Sequence, residues 1–177
     1  MLKDTVLKRQ SCRNYSGKKV EKEKLERVIE TARFSPSARN SQPWKFFCVV
    51  DDETAVDKVR KAVQPLGVNK FADKATAFIV IIEQRPDFLT NAFEKVKHRD
   101  FVSIDIGLTT AHLVLAAEEE GLSTCILGMF NEQDVKDAIG FKKSDKVRLV
   151  VAVGYKSEDD VIREKKRKSG KDLVEYL

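Results

Sequence analysis

Apolar positions along this chain follow two periods. Between Glu21 and Arg33 they fall at Leu25, Val28, Ile29 and Ala32, the i, i+3, i+4, i+7 spacing of one helix face. Leu2 to Arg9 predicts a shorter helix with Leu2, Val6 and Leu7 on a shared face. Val56, Val59 and Val63 predict another, stopped near Pro65 and Gly67. Phe101 to Glu120 predicts the longest helix. Its middle is apolar on nearly every side, which predicts a central buried helix, and Gly121 is its expected C′ residue. Asn131 is placed to cap a last helix that runs to Ile139 and closes at Gly140. Four stretches read as strands: Lys45–Val50, Ala75–Ile82, Ser123–Leu127 and Val147–Val153. Ala75–Ile82 shows no alternation, so it predicts a strand buried on both faces. Helices and strands interleave without strict alternation. The expected class is α+β, a mixed sheet flanked by helices, formed by one domain over residues 1–177.

Composition narrows the chemistry. The chain is 42% apolar, enough for a packed core in a length that suits one domain. No apolar run reads as a bilayer span and no signal-peptide pattern opens the chain, so a soluble, cytoplasmic protein is expected, without a membrane partner. Cys12, Cys48 and Cys125 are odd in number and far apart, which argues against a disulfide framework, a zinc site or an iron–sulfur cluster. His112, on the long helix, reads as a core histidine with its hydrogen bonds satisfied, and His98 as a surface residue. The net charge of +5 is concentrated: Arg163 to Lys171 carries six basic residues and one acid. A short basic segment on a balanced body fits a local anion site or a solvated tail, rather than a broad nucleic-acid face.

Several familiar signatures are missing. There is no GxGxxG after a strand, no GxxxxGK[ST] and no GxSxG. A chain with so few catalytic-looking side chains can borrow its chemistry from a cofactor.

Four segments then carry weight together. Arg9-Gln10-Ser11-Cys12-Arg13 puts two guanidinium groups and a hydroxyl into a compact oxyanion clamp. Ser35-Pro36-Ser37-Ala38-Arg39-Asn40-Ser41-Gln42-Pro43-Trp44 is a proline-stiffened loop dense in hydrogen-bonding groups. Asp105-Ile106-Gly107 lies on the long helix, where Asp105 needs a partner and Gly107 permits close helix approach; this helix leads into Ser123 to Phe130. Arg148 to Tyr155 precedes the basic run. In this order the segments resemble the FMN-dependent nitroreductase family, from Leu7 to about Lys168.

The resemblance implies a nitroreductase-like fold with a central, mainly antiparallel sheet, and an intertwined homodimer with two FMN sites at the subunit interface. It places Arg9, Gln10, Ser11 and Arg13 on the phosphate and ribityl chain. It places Pro36, Ser37, Ala38 and Asn40 at the flavin, donated by the partner subunit. Ile126, Leu127 and Gly128 would line the ring near N5, Lys165 and Arg167 would close on the phosphate, and Asn69 with Lys70 lies where larger members have further contacts. The implied reaction passes hydride from NAD(P)H through FMN to a small electron-poor acceptor, such as a nitroaromatic or quinone, in ping-pong fashion. No catalytic side chain is assigned. Two departures are visible: Glu83 to Asp100 is short, and Leu127 replaces an acid common in larger members. The alternatives are another reaction on the same flavin fold (dehalogenation, azoline oxidation or flavin processing), a flavin-binding protein without turnover, and a nucleic-acid module using the basic tail.

Overall fold

The computed structural model describes residues 2–84, 100–142 and 144–177. Five α-helices are described: α1 (Leu2–Lys8), α2 (Lys22–Ala32), α3 (Glu53–Ala62), α4 (Phe101–Glu119) and α5 (Glu132–Ala138). Four strands form one sheet: β1 (Trp44–Val49), β2 (Ala77–Glu83), β3 (Ser123–Leu127) and β4 (Val147–Gly154), in the order β1-β2-β4-β3. Each neighbouring pair is antiparallel. The parallel component among the described residues is an isolated bridge between Ser11 and Thr124. Every strand and helix read from the sequence therefore exists, with bounds shifted by a few residues at most. His98 and most of the short stretch after β2 lie outside the described residues.

Strand β2 shows why the sheet has two cores. Side chains alternate across a strand. Phe78, Val80 and Ile82 join α3 and α5 residues such as Val59 and Val135 on one face. Ala77, Ile79 and Ile81 join α2 and α4 residues such as Val28 and Leu113 on the other. Burial of each large aliphatic side chain contributes about 1.5–3 kcal/mol. A strand that must do this on both sides cannot carry polar positions, so its sequence runs apolar throughout.

Helix α4 ends in a Schellman motif. Gly121 takes φ +72, its N–H donates to Glu118 O, and Leu122 N–H donates to Ala117 O. Gly154 has a different reason. A Cβ there would meet the Tyr15 ring at 2.8 Å, and that ring is buried, with its hydroxyl donating to Ala152 O at 3.2 Å. Gly154→Ala should cost about 1–3 kcal/mol by overpacking. A thermal melt checks this: a drop of several degrees is expected, and an unchanged midpoint would contradict it.

Helix α1 forms as expected, and the expectation for α4 needs correction. Leu2, Val6 and Leu7 of α1 are exposed, whereas Thr5 is the buried residue and hydrogen-bonds Glu119. The short helix therefore docks by a polar contact and leaves its apolar residues uncovered. Helix α4 is not buried all round. One face packs Val102, Ile106, Leu113 and Ala117 into the core, whereas Ile104 is 55% and Leu108 40% exposed. Ile104, Gly107, Leu108 and Ala111 form an open stripe at helical spacing. Among the described residues, no neighbouring element comes within 4 Å of a Cβ placed on Gly107, so this glycine serves no close approach there. By length and hydropathy α4 could cross a bilayer, contrary to the reading of the sequence, but half of it is buried in the core.

Candidate functional site

The segment after α1 lies against the outer edge of β3. Cys12 N–H donates to Thr124 O at 2.8 Å, beside the Ser11–Thr124 bridge. Extended backbone alternates its side chains, so Cys12 turns into the core while Ser11 and Arg13 turn outward. Burial pushes the Cys12 thiol up to about 11, and Asp160 adds to the shift against an opposing hydrogen bond to Asn14. Burial also raises the Cys125 thiol. Both are packed, protonated thiols at neutral pH and poor nucleophiles.

The C-terminal segment returns along the same edge. Lys165 Nζ donates to Arg9 O at 2.7 Å, and Arg163 Nη2 donates to Ser11 O at 2.5 Å. Arg9, Gln10, Ser11, Arg13, Arg163, Glu164, Lys165 and Arg167 line an open pocket of about 180 Å³. Five of these eight are cations and one is an acid. Desolvation, then the neighbouring Arg9, Arg167 and Arg163, holds the Lys165 ammonium below the usual lysine range. Like charges gathered this closely repel, and an anion among them relieves the repulsion. The donor set suits a phosphate: forked guanidinium groups, an ammonium and a hydroxyl. At this size the pocket admits a phosphate end and not a fused ring system.

The end of β3 continues this surface. Ile126 is 39% exposed and Gly128 is open, but Leu127 is buried, so only its main chain can face a ligand. Asn69, at φ 55, donates its side-chain amide to Val63 O and Met129 O, at 2.9 and 3.0 Å. That amide ties two loops together. Arg13 lies over the Phe71 ring at 5.7 Å from its centroid, which links the clamp to the same loop.

The Ser35–Trp44 loop is over-determined and strained. Arg39, Asn40 and Gln42 all have left-handed φ, at 54, 56 and 45. Such residues cost of order 1 kcal/mol or more each and persist where surrounding contacts fix them. Here Ala38 N–H is bound by both carboxylate oxygens of buried Asp105, at 3.1 and 3.0 Å. Gln42 N–H donates to Ser37 Oγ at 2.9 Å. Asp105 thus finds the partner its burial demands, and its partner is this loop. Ser41 Oγ is buried without a hydrogen-bond partner among the described residues. Ser35 Oγ donates to Ala32 O at 2.6 Å and lies 2.7 Å from His112 Nδ1. His112 is therefore hydrogen-bonded, but it is exposed and not a core residue as the sequence suggested.

One chain does not bring all these parts together. Pro36, Ser37, Ala38 and Asn40 sit near the start of α4, where Asp105 holds their loop. The cation pocket sits near its far end, where Thr5 bonds Glu119 and Gln10 lines a small cavity with Glu118. At 1.5 Å per residue, Asp105 and Glu118 are about 20 Å apart. Arg9, Gln10, Ser11, Arg13, Lys165 and Arg167 are assembled, with Ile126, Leu127, Gly128 and Asn69 alongside. The loop stands apart. Arg163 and Asp160 were missed in the sequence. The basic run was visible, but which of its members would turn toward Ser11 was not.

Comparison with known proteins adds an independent line. A family model described as the nitroreductase family matches residues 6–67 and 63–155. The iodotyrosine dehalogenase 1 homolog of Caenorhabditis elegans is 26% identical over 90% of this chain, which spans 56% of that protein's length. A protein of Archaeoglobus fulgidus, provisionally named an NADH dehydrogenase/NAD(P)H nitroreductase, is 25% identical over 87% of this chain and 84% of its own. The solved structure of an FMN-dependent nitroreductase from Clostridium difficile R20291 superposes with a TM-score of 0.70 at 25% identity, covering 97% of this chain and 96% of that one.

Proposed function

The chain belongs to the nitroreductase family, and from that premise we propose that it is a cytoplasmic, homodimeric FMN-dependent oxidoreductase that moves electrons from NAD(P)H to a small electron-poor acceptor. The observation that carries the cofactor is the cation pocket, where a phosphate monoester would find guanidinium, ammonium and hydroxyl donors already converged. The names of the Clostridium and Archaeoglobus relatives support FMN and NAD(P)H.

The dimer is supported by what the single chain leaves open. The α4 stripe of Ile104, Gly107, Leu108 and Ala111 is uncovered, and so are Leu2, Val6 and Leu7. A second α4 packed antiparallel on this stripe would turn one chain's Ser35–Trp44 loop toward the end of α4 that carries the other chain's cation pocket. Gly107 would then allow a close approach of the second helix. Among the described residues the outer edge of β1 has no strand partner, and it lies beside a groove of about 740 Å³ lined by Ile29, Phe47, Cys48 and Val50. The chain ends in exposed Leu173, Val174, Tyr176 and Leu177, which suit such an edge on a second copy.

Bound FMN would supply two-electron chemistry, hydride in from a nicotinamide and out to the acceptor. In this reading Arg9, Ser11 and Arg13 of one chain hold the phosphate and ribityl end. Pro36, Ser37, Ala38 and Asn40 of the other present a preorganised loop to the ring, so little ordering remains at binding. Ile126 and the main chain of Leu127 and Gly128 wall the site and keep water from it. A dehalogenase-like reaction is the second reading, favoured by the relationship to the iodotyrosine dehalogenase homolog.

Anaerobic mixing of FMN-loaded protein with NADH and NADPH separates the two. The visible flavin band is expected to bleach with at least one of them and to return on adding a quinone or nitroaromatic. A band unchanged by both, but with deiodination of iodotyrosine once the flavin is reduced by dithionite, would move the assignment to the second reading.

A further inference from the structure

The C-terminal segment reaches the cation pocket through a specific set of contacts. Gln10 uses both ends of its side-chain amide on it: Nε2 donates to Val161 O at 3.0 Å, and Oε1 accepts from Arg163 N at 3.0 Å. This copies the two-point pairing of a strand. Arg163 divides its guanidinium between Ser11 O at 2.5 Å and Asp160 Oδ1 at 3.4 Å. Asp160 is buried, 8% exposed, and its other oxygen faces Gln10 Nε2 at 3.4 Å and the Cys12 thiol at 3.7 Å. It therefore sits beneath the junction of the two segments as their shared acceptor.

We propose that Arg163, oriented by Asp160 and Gln10, is a positioning residue that closes the C-terminal segment over the anion pocket, so that a phosphate monoester and that segment lock one another in place. The proposal rests on the FMN reading above. Its physical basis is charge. Closing the segment brings Arg163, Lys165 and Arg167 onto Arg9 and Arg13, which their repulsion opposes. Asp160 offsets part of that repulsion from below, and a phosphate dianion would offset more from above. Each then favours the other, because coupling between two binding events is reciprocal. A planar fork is needed at position 163, since one group must reach a carbonyl and a carboxylate together.

The test uses apoprotein titrated with FMN and, separately, with riboflavin, which lacks the phosphate. Trypsin cleavage at Lys165 to Lys168 is followed with and without FMN. Arg163→Gln is expected to weaken FMN about tenfold, the loss of one hydrogen bond to a charged group, and to leave riboflavin unchanged. FMN should protect the segment from trypsin in the wild type and fail to do so in the variant. Asp160→Asn, which keeps shape and removes the charge, should shift both readouts the same way. Arg163 has 46% of its side chain exposed, so its replacement leaves the core intact. Equal weakening of both flavins would indicate mere structural support and overturn the proposal. So would wild-type FMN binding and protection in Arg163→Gln. Wild-type apoprotein that holds FMN no better than riboflavin would overturn the cofactor reading itself, and the clasp with it.

Discussion

Leu108→Asp is expected to give a folded monomer that no longer retains FMN. Leu108 is 40% exposed in the single chain, so the substitution removes little core packing, and the monomer's melting should barely change. In a dimer built on the α4 stripe the same carboxylate would be buried against a copy of itself. An unpaired buried charge costs several kcal/mol, and about 4 kcal/mol is a thousandfold in association. Cofactor would be lost with the dimer, because the loop and the cation pocket of one chain lie toward opposite ends of α4, whose Asp105 and Glu118 are about 20 Å apart. Sedimentation velocity with an FMN titration reads both effects. A variant that stays dimeric, or a monomer that binds FMN as tightly as the wild type, would show that the α4 stripe is not the interface that completes the site.

The second large effect is expected from replacing Arg9 and Arg13 together by alanine. Both side chains line the pocket and neither belongs to the core. Arg9 contributes its carbonyl to Lys165, and that contact survives the change. A hydrogen bond to a charged group is worth about 1.5–3 kcal/mol, so two of them amount to roughly a 10²–10⁴-fold loss of FMN affinity at 1.4 kcal/mol per tenfold. Riboflavin should bind the double variant as it binds the wild type. Equal losses for both flavins would place these arginines somewhere other than on the phosphate.

The sequence disclosed these elements because their signals are local. The apolar run of β2 and the four-residue spacing of α2 each follow from burial on known faces. The clamp at Arg9 to Arg13 was visible because its donors are neighbours in the chain. What could not be read depends on contacts distant in sequence. Arg163 meets Ser11 across 152 positions, and nothing in a basic run says which member will turn inward. The exposed face of α4 has a clear cause. A helix that is apolar all round signals burial on every side, but not that the burial is completed within its own chain. His112 lies outside the core for the same reason: it is on the side of α4 that the chain itself leaves open. Asp105 was recognised as needing a partner, but its bond to Ala38, 67 positions away, required the fold.

If each FMN site is shared between two copies of the chain, subunit complementation should restore it. One copy carries Arg9→Ala with Arg13→Ala, and the other carries Ala38→Trp, a bulky block on the loop. Each variant alone should form colourless dimers. Co-expressed as a heterodimer, they contain one site with both defects and one with none, if the loop and the pocket come from different chains. The purified heterodimer is expected to regain one FMN per dimer, with the bleaching by NAD(P)H expected of the wild type. A heterodimer as colourless as its parents would mean that each chain builds its own site, and would contradict a shared one.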